Sequence, residues 1–234
     1  MLCRIGDTST GALTLDALVS RLLEGLSEEM RRSLLAAGRR HRYAAGEVVF
    51  HEGDPADSLH MIASGRVSVG LTTSYGNQVT FAIESEGEMF GELALLSADS
   101  RRTATVTALE RTETMVIHRD EFDRLRKDQP QVTEALLRIL AARVRMLSER
   151  LTEALYVPAE MRVLRRLLEV AETYSSATEG GAVPLTQDQL GDLAGTARAT
   201  VNRVLRREAA RGLLKLERGR ITILNRSALA AKAR

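Results

Sequence analysis

The chain has 234 residues, 44% hydrophobic and 27% charged, an ordinary balance for a soluble globular protein and enough length for one large or two modest domains. No apolar run reaches the roughly eighteen residues of a membrane-spanning helix, and the start, MLCRIGDTSTGALTLD, lacks the basic-then-apolar layout of a secretory signal, so a cytoplasmic protein is expected. Cys3 is the one cysteine, which excludes an intramolecular disulfide, a four-cysteine zinc site and a self-sufficient iron–sulfur cluster.

In chain order, ALVSRLLEGLSEEMRRSLLAAG reads as one or two short helices, with Ser27 and the acidic Glu28 and Glu29 marking a helix start. Seven of the 17 glycines then fall between Gly46 and Gly91, among short runs such as EVVF, LHMIAS, RVSVGL and QVTFAI, followed by ATVTAL and ETMVIH. These runs are rich in β-branched residues and alternate in polarity, which predicts an antiparallel jelly roll or small barrel. From Glu92 to Glu179 there is no glycine, and the segment between Pro130 and Pro158 is periodic for a helix about 40 Å long. Thr133, Leu137, Leu140, Val144, Leu147, Leu151 and Ala154 step alternately by four and three, the seam of a two-stranded coiled coil. A homodimer is the resulting expectation, although the same stripe could pack on its own domain. Pro158 suits the first turn of a new helix and cannot continue the old one, so Tyr156, Val157 and Pro158 form the expected hinge.

Beyond the hinge the charge changes sign. Residues 1–157 hold 19 basic and 23 acidic side chains, residues 158–234 hold 14 and 8, and from Ala197 onward the count is 11 to 2. A basic tip on a mildly acidic body suits a polyanionic partner, or else a solvated arginine-rich helix face. In LTQDQLGDLAGTARATVNRVLRREAARGLL, Thr186 and Gln189 form a capping box, Gly195 ends the first helix, and a second runs from about Ala197 to Arg211 with Thr196 as its cap. Leu190, Leu193, Ala194, Val201, Val204 and Leu205 close a small core, and Gly191 lets the helices approach. This is a helix-turn-helix pattern, with Arg198, Asn202, Arg203 and Arg206 as groove or phosphate candidates. LLKLERGRITIL adds two strands about Arg218-Gly219, a hairpin turn that predicts a wing.

The segment GEMFGELALLSADSRRTATVTA carries the sharpest chemistry. A tight Gly91-Glu92 turn before a helical ELALL presents backbone N–H groups that favour an anion, and the Glu92 carboxylate suits a ribose hydroxyl. Arg102 and Thr103, heading the next strand, form a guanidinium–hydroxyl clamp for a phosphate. His41, His51, His60 and His118 show no metal-ligand spacing, so neither a metal nor a haem is expected. Residues 158–234 contain no histidine and no cysteine, so they offer no catalytic constellation and no enzyme is expected.

On GRVSV (65–69), GEMFGELALL (87–96), RRTATV (101–106) and TARATVNRVL (196–205), the chain resembles the cyclic AMP receptor protein branch of the CRP/FNR superfamily of bacterial transcription regulators, over residues 20 to 226. The resemblance implies an α+β protein in three parts. These are N-terminal helices and a cyclic-nucleotide-binding jelly roll (1–128), a dimerisation helix and hinge (129–157), and a winged helix-turn-helix (158–234). It further implies a homodimer, a palindromic double-stranded DNA operator, contact with RNA polymerase, and control of DNA affinity by a cyclic nucleotide. Gly91, Glu92 and Leu93 would meet the phosphate edge and the ribose 2′-hydroxyl, while Arg102 and Thr103 would hold the cyclic phosphate.

The chain departs from the family at two places. Where the best-known pattern has a Thr-Ser pair touching the purine, this chain has Leu147-Ser148; Ser148 retains one hydroxyl and Leu147 has none. Cyclic AMP is the expected ligand, with cyclic GMP the alternative that Leu147 and Thr103 keep open. In the recognition helix, Ala197-Arg198-Ala199-Thr200-Val201 stands where the family often has Ser-Arg-Glu-Thr-Val. Ala199 therefore removes a carboxylate that would accept from cytosine, while Arg198 and Arg203 can still engage guanine, with Thr200 and Arg206 on phosphates.

Overall fold

The computed structural model describes residues 32–33, 37–73, 78–96, 101–175 and 182–234. The helices expected before residue 32 lie outside them. The first body is a sandwich of two four-stranded antiparallel sheets. One sheet orders β1 (Arg39–Tyr43), β8 (Thr112–His118), β3 (Ser58–Ser64) and β6 (Met89–Phe90); the other orders β2 (Val48–Phe50), β7 (Thr105–Ala108), β4 (Arg66–Thr72) and β5 (Gln78–Ser85). Strands adjacent in space but distant in sequence, such as β3 with β8 and β4 with β7, give the jelly-roll connectivity. Alternating apolar residues meet between the sheets as Ile62, Val67, Phe90 and Val106, all at most 2% exposed. At Gly65, φ is +86° and an added Cβ would lie 2.6 Å from Thr112 Oγ1, so the β3–β4 turn needs glycine.

A short helix, α1 (Leu93–Leu96), follows β6. Arg102 and Thr103 precede β7 rather than head it, because the strand begins only at Thr105. After β8 come α2 (Arg119–Asp128) and α3 (Pro130–Tyr156), with Pro130 in the first turn, where its missing N–H leaves no hydrogen bond unmade. Val132 and Leu136 of α3 join Met61, Ile117 and Phe122 in a second core that fixes the helix to the sandwich. Each such fully buried aliphatic side chain is worth about 1.5–3 kcal/mol. The heptad stripe itself is largely open: Leu137, Val144, Leu147 and Leu151 are each 55–63% exposed, while Leu140 packs partly on the sandwich core.

Helix α3 ends where Val157 turns extended (φ −100°, ψ 130°), and α4 (Ala159–Ser175) starts after Pro158. The C-terminal body comprises α4, β9 (Ala182–Val183), α5 (Gln187–Ala194), α6 (Arg198–Ala210), β10 (Leu214–Glu217), β11 (Arg220–Ile223) and α7 (Arg226–Lys232). Thr186 and Gln189 form the reciprocal capping box, and Gly195 closes α5 in the left-handed region. An added Cβ on Gly191 would stand 2.8 Å from Thr196 O, which confirms the need for close approach. The cap of α6 differs from the sequence expectation: Ala197 occupies it, its carbonyl accepting from Thr200 and Val201, and no side chain caps the helix. Thr196 sits one residue too early, its N–H bound to Gly191 O. The wing pairs Glu217 with Arg220 about Gly219, and β9 adds a third strand.

The two bodies touch. Arg66 of β4, only 6% exposed, donates to Thr173 O near the C-terminus of α4, stacks 4.0 Å over Tyr174 and pairs with Glu110 at 2.6 Å. Asp192 of α5 accepts from the Thr80 N–H of β5 at 3.2 Å, and Ile83 packs against the C-terminal core.

Candidate functional site

A cavity opens between β5, the β6–α1 turn, the segment before β7 and the inner face of α3. Gly91, at φ +84°, makes the turn; an added Cβ there would stand 2.6 Å from Arg102 Nη1, so the guanidinium fits only against glycine. Arg102, 5% exposed, donates from Nη1 to Ser58 O at 2.6 Å and from Nη2 to Ser58 Oγ at 2.9 Å, and stacks 4.1 Å over Phe50. Burial draws its pKa down from the ordinary guanidinium value, opposed by Asp57 and Asp54. Glu92, 1% exposed, is paired through Oε1 with Arg143 of α3. Of the five side-chain polar atoms buried without a hydrogen-bond partner among the described residues, three belong to residues lining this cavity: Glu92 Oε2, an acceptor, and Arg102 Nε and Arg150 Nε, both donors. Buried polar groups in native proteins are overwhelmingly paired, and an unpaired one costs about 1–3 kcal/mol, so three on residues lining one cavity mark a candidate site for a polar guest.

Of the residues expected here, Gly91, Glu92, Leu93, Arg102, Thr103 and Leu147 all line this cavity. Ser148 does not: its hydroxyl donates to Val144 O at 2.9 Å, and the residue lies exposed on the outer face of α3. Arg143 was not foreseen. It spans Glu92, Glu84 (3.4 Å) and Met89 O, tying α3 to the turn that bears Glu92. No spacing links Arg143 to Glu92, 51 residues away, because only the docking of α3 across the sandwich brings them together. Burial, reinforced by the Glu88 carboxylate, pushes Glu84 up to about 7, while Arg143 pulls it down.

The second constellation lies on α6. Val201, Val204 and Leu205 are fully buried against α4 and α5, which leaves Arg198, Ala199, Arg203 and Arg206 on the exposed face, with Thr196, Thr200 and Asn202 half-buried beside them. Arg198 pairs with Asp188 at 3.2 Å, Asn202 donates to Gln187 Oε1 at 2.9 Å, and Arg203 pairs with Glu160 at 3.4 Å. At the hinge, Arg162 donates to Ala194 O (2.9 Å), Gly195 O (3.0 Å) and Val157 O (2.7 Å), so one guanidinium joins the end of α3 to the turn between α5 and α6.

A β sandwich with an arginine- and glutamate-lined cavity, joined by one long helix to a winged helix-turn-helix, is the architecture of a DNA-binding transcription regulator. Residues 40–129 match the cyclic nucleotide-binding domain, and residues 161–232 match the Crp-like helix-turn-helix domain. The chain is 33% identical to a CRP-like cAMP-activated global transcriptional regulator of Mycobacterium tuberculosis, covering 82% of this chain and 87% of that one. It is also 33% identical to the cyclic AMP receptor protein of Thermus thermophilus, over 87% of this chain and 92% of its relative. Among solved structures, the catabolite activator protein of Thermus thermophilus is 31% identical, with a TM-score of 0.53 over 91% of this chain and 97% of that one. The chain belongs to the CRP/FNR superfamily of transcription regulators.

Proposed function

We propose that the protein is a homodimeric, sequence-specific regulator whose DNA affinity is set by cyclic AMP held in the N-terminal sandwich. The observation that carries the reading is that Glu92 and Arg102, a carboxylate and a guanidinium lining one cavity, each keep a buried atom without a hydrogen-bond partner, Oε2 and Nε. Cyclic AMP supplies a phosphate anion, a ribose 2′-hydroxyl and a purine. Glu92 would accept from the hydroxyl, Arg102 and Thr103 would hold the phosphate, Gly91 and Leu93 would form the floor, and Leu147 would pack on the base. Ser148, on the outer face of α3, would reach the base in the partner's cavity. Cyclic GMP is the second reading, because Leu147 offers the base no hydrogen bond.

The proposed division places the ligand module in residues 1–128, the dimer helix and hinge in 129–157, and the DNA module in 158–234. Arg198 and Arg203 would read guanine edges, Asn202 and Ala199 would face the groove, and Thr196, Thr200 and Arg206 would meet phosphates. Ligand seated against Glu92 bears on α3 through Arg143, and α3 bears on the DNA module through Arg162, so the same guest biases the orientation of both recognition helices. The reading also includes a palindromic operator, contact with RNA polymerase, a cytoplasmic site of action and no catalytic activity. No helix among the described residues is long and apolar enough to cross a membrane.

The test is fluorescence anisotropy at fixed salt, using a duplex selected from random DNA, with and without cyclic AMP. Tighter binding to the selected duplex with cyclic AMP is expected; equal affinity with and without either cyclic nucleotide would sink the reading. A pH dependence follows from Glu84. Its carboxyl loses its proton as pH rises through about 7, which adds a negative charge to the cavity wall. Nucleotide affinity is therefore expected to weaken between about pH 6 and 8, and Glu84→Gln should flatten that slope in calorimetric titrations.

A further inference from the structure

The first turn of α4 carries a carboxylate that touches the recognition helix. Glu160 Oε2 accepts from Arg207 Nη1 at 2.7 Å, and Oε1 lies 3.4 Å from Arg203 Nη2. Arg207 is itself fixed from behind, because its Nε donates to Glu208 at 2.9 Å. Glu208 is fully buried and neutralised further by Arg211 (3.0 Å) and Lys232 (3.4 Å). Glu160 is thus anchored through a chain of ion pairs that ends in the core. The neighbouring Arg198–Asp188 pair lacks this backing: both its side chains are more than 60% exposed, and such pairs are worth little, whereas Arg203, itself 67% exposed, faces a carboxylate that is 36% exposed and fixed by Arg207.

The position of Glu160 is at odds with simple attraction to DNA. From Ala197 onward the chain holds 11 basic side chains against 2 acidic ones, and this carboxylate is brought against that surface from another helix. A negative charge there opposes phosphate of any sequence. An arginine presents five donors on a planar fork, so a bidentate grip on a guanine edge leaves other N–H groups for a carboxylate behind it. A guanidinium held in place loses less rotamer freedom on reading a base, and it is less available to wander onto a phosphate.

We propose that Glu160 is a specificity-determining positioning residue of the DNA interface, which holds Arg203 for a base edge and suppresses binding to DNA of arbitrary sequence. The inference rests on the reading of Arg203 as a base-reading side chain. Glu160 acts through Arg203 and Arg207 and leaves the nucleotide cavity untouched, since none of the cavity-lining residues belongs to this network.

The test uses the full-length protein, a duplex selected from random DNA by that protein, and a scrambled duplex of equal length, each titrated at several salt concentrations. Glu160→Gln, a half-exposed surface change that keeps side-chain size, is expected to tighten the scrambled duplex several-fold and to steepen its salt dependence. The selected duplex should gain nothing or weaken, so the ratio of the two affinities falls about tenfold. Reselection with Glu160→Gln should show a flattened preference at the base pair facing Arg203, a readout that loss of stability alone does not move. In an Arg203→Ala background, Glu160→Gln should shift both duplexes equally. An unchanged ratio, or an equal rise on both duplexes in the wild-type background, would overturn the proposal. Arg203→Ala alone tests the underlying reading separately: if it weakens both duplexes equally, Arg203 is a phosphate contact and the base-reading assignment fails whatever Glu160 does.

Discussion

Arg102→Ala is expected to abolish measurable cyclic-nucleotide binding, a loss of at least about 100-fold, while leaving the dimer intact. The buried guanidinium supplies the fixed positive charge beside Gly91, and truncating one partner of a buried, hydrogen-bonded charge pair costs about 2–5 kcal/mol or more. Its hydrogen bonds to both Ser58 O and Ser58 Oγ fix the fork independently of any guest, so the clamp is preorganised and its removal is not compensated by rearrangement. Arg102→Lys separates charge from shape. It keeps the charge and loses the fork, so calorimetry should show intermediate affinity. Retained wild-type affinity in Arg102→Ala would mean that the phosphate lies elsewhere in the cavity.

Val144→Asp combined with Leu151→Asp is expected to give monomers in sedimentation. Leu137, Val144, Leu147, Leu151 and Leu155 are each 55–67% exposed along one helix, an apolar stripe that soluble monomers rarely leave open. Two aspartates per chain would place four carboxylates in the paired stripe, each without a cationic partner, and a buried unpaired charge costs several kcal/mol. These two positions are better probes than Leu140, which also packs on the sandwich core and would confound folding with assembly. Affinity for a two-fold operator should drop by about two orders of magnitude, since the second half-site is no longer held at high effective concentration. A persistent dimer would place the interface on another surface.

What the sequence disclosed was whatever local chemistry controls. The Thr186–Gln189 capping box, the left-handed Gly195, the Arg218-Gly219 turn and the Pro130 helix start all stand where spacing put them, because each depends on residues within a few positions of one another. The strands of the sandwich followed from alternation, except the two-residue β6, which is defined by its pairing with β3, and β1. In β1, RRHRY carries no apolar alternation; it is a strand because β8 offers it a pairing edge, and Arg40 and Arg42 both find Glu113 there. The two-residue β9 and the C-terminal α7 were likewise invisible, since the first is defined by its pairing with β11 and the second by the packing of Leu229 into the core.

The candidate site divided in the same way. Gly91, Glu92, Arg102 and Thr103 sit in one contiguous cassette, so their chemistry could be read from order alone, and all four line the cavity. Arg143, Arg162 and Glu160 could not be found so, because each acts across a gap that only tertiary docking closes. The cap of α6 was misplaced for a smaller reason. A hydroxyl at Thr196 suggests a cap, but the turn after Gly195 consumes its backbone N–H, and the helix opens one residue later.

The central claim is that the cavity beside Glu92 and Arg102 takes a cyclic nucleotide. The most direct test is calorimetric titration of the purified wild-type protein with cyclic AMP and, separately, with cyclic GMP, at one salt concentration and pH. The account predicts saturable binding of cyclic AMP at one site per chain, tighter than that of cyclic GMP. Binding of neither nucleotide by a protein that still recognises its selected DNA would contradict it.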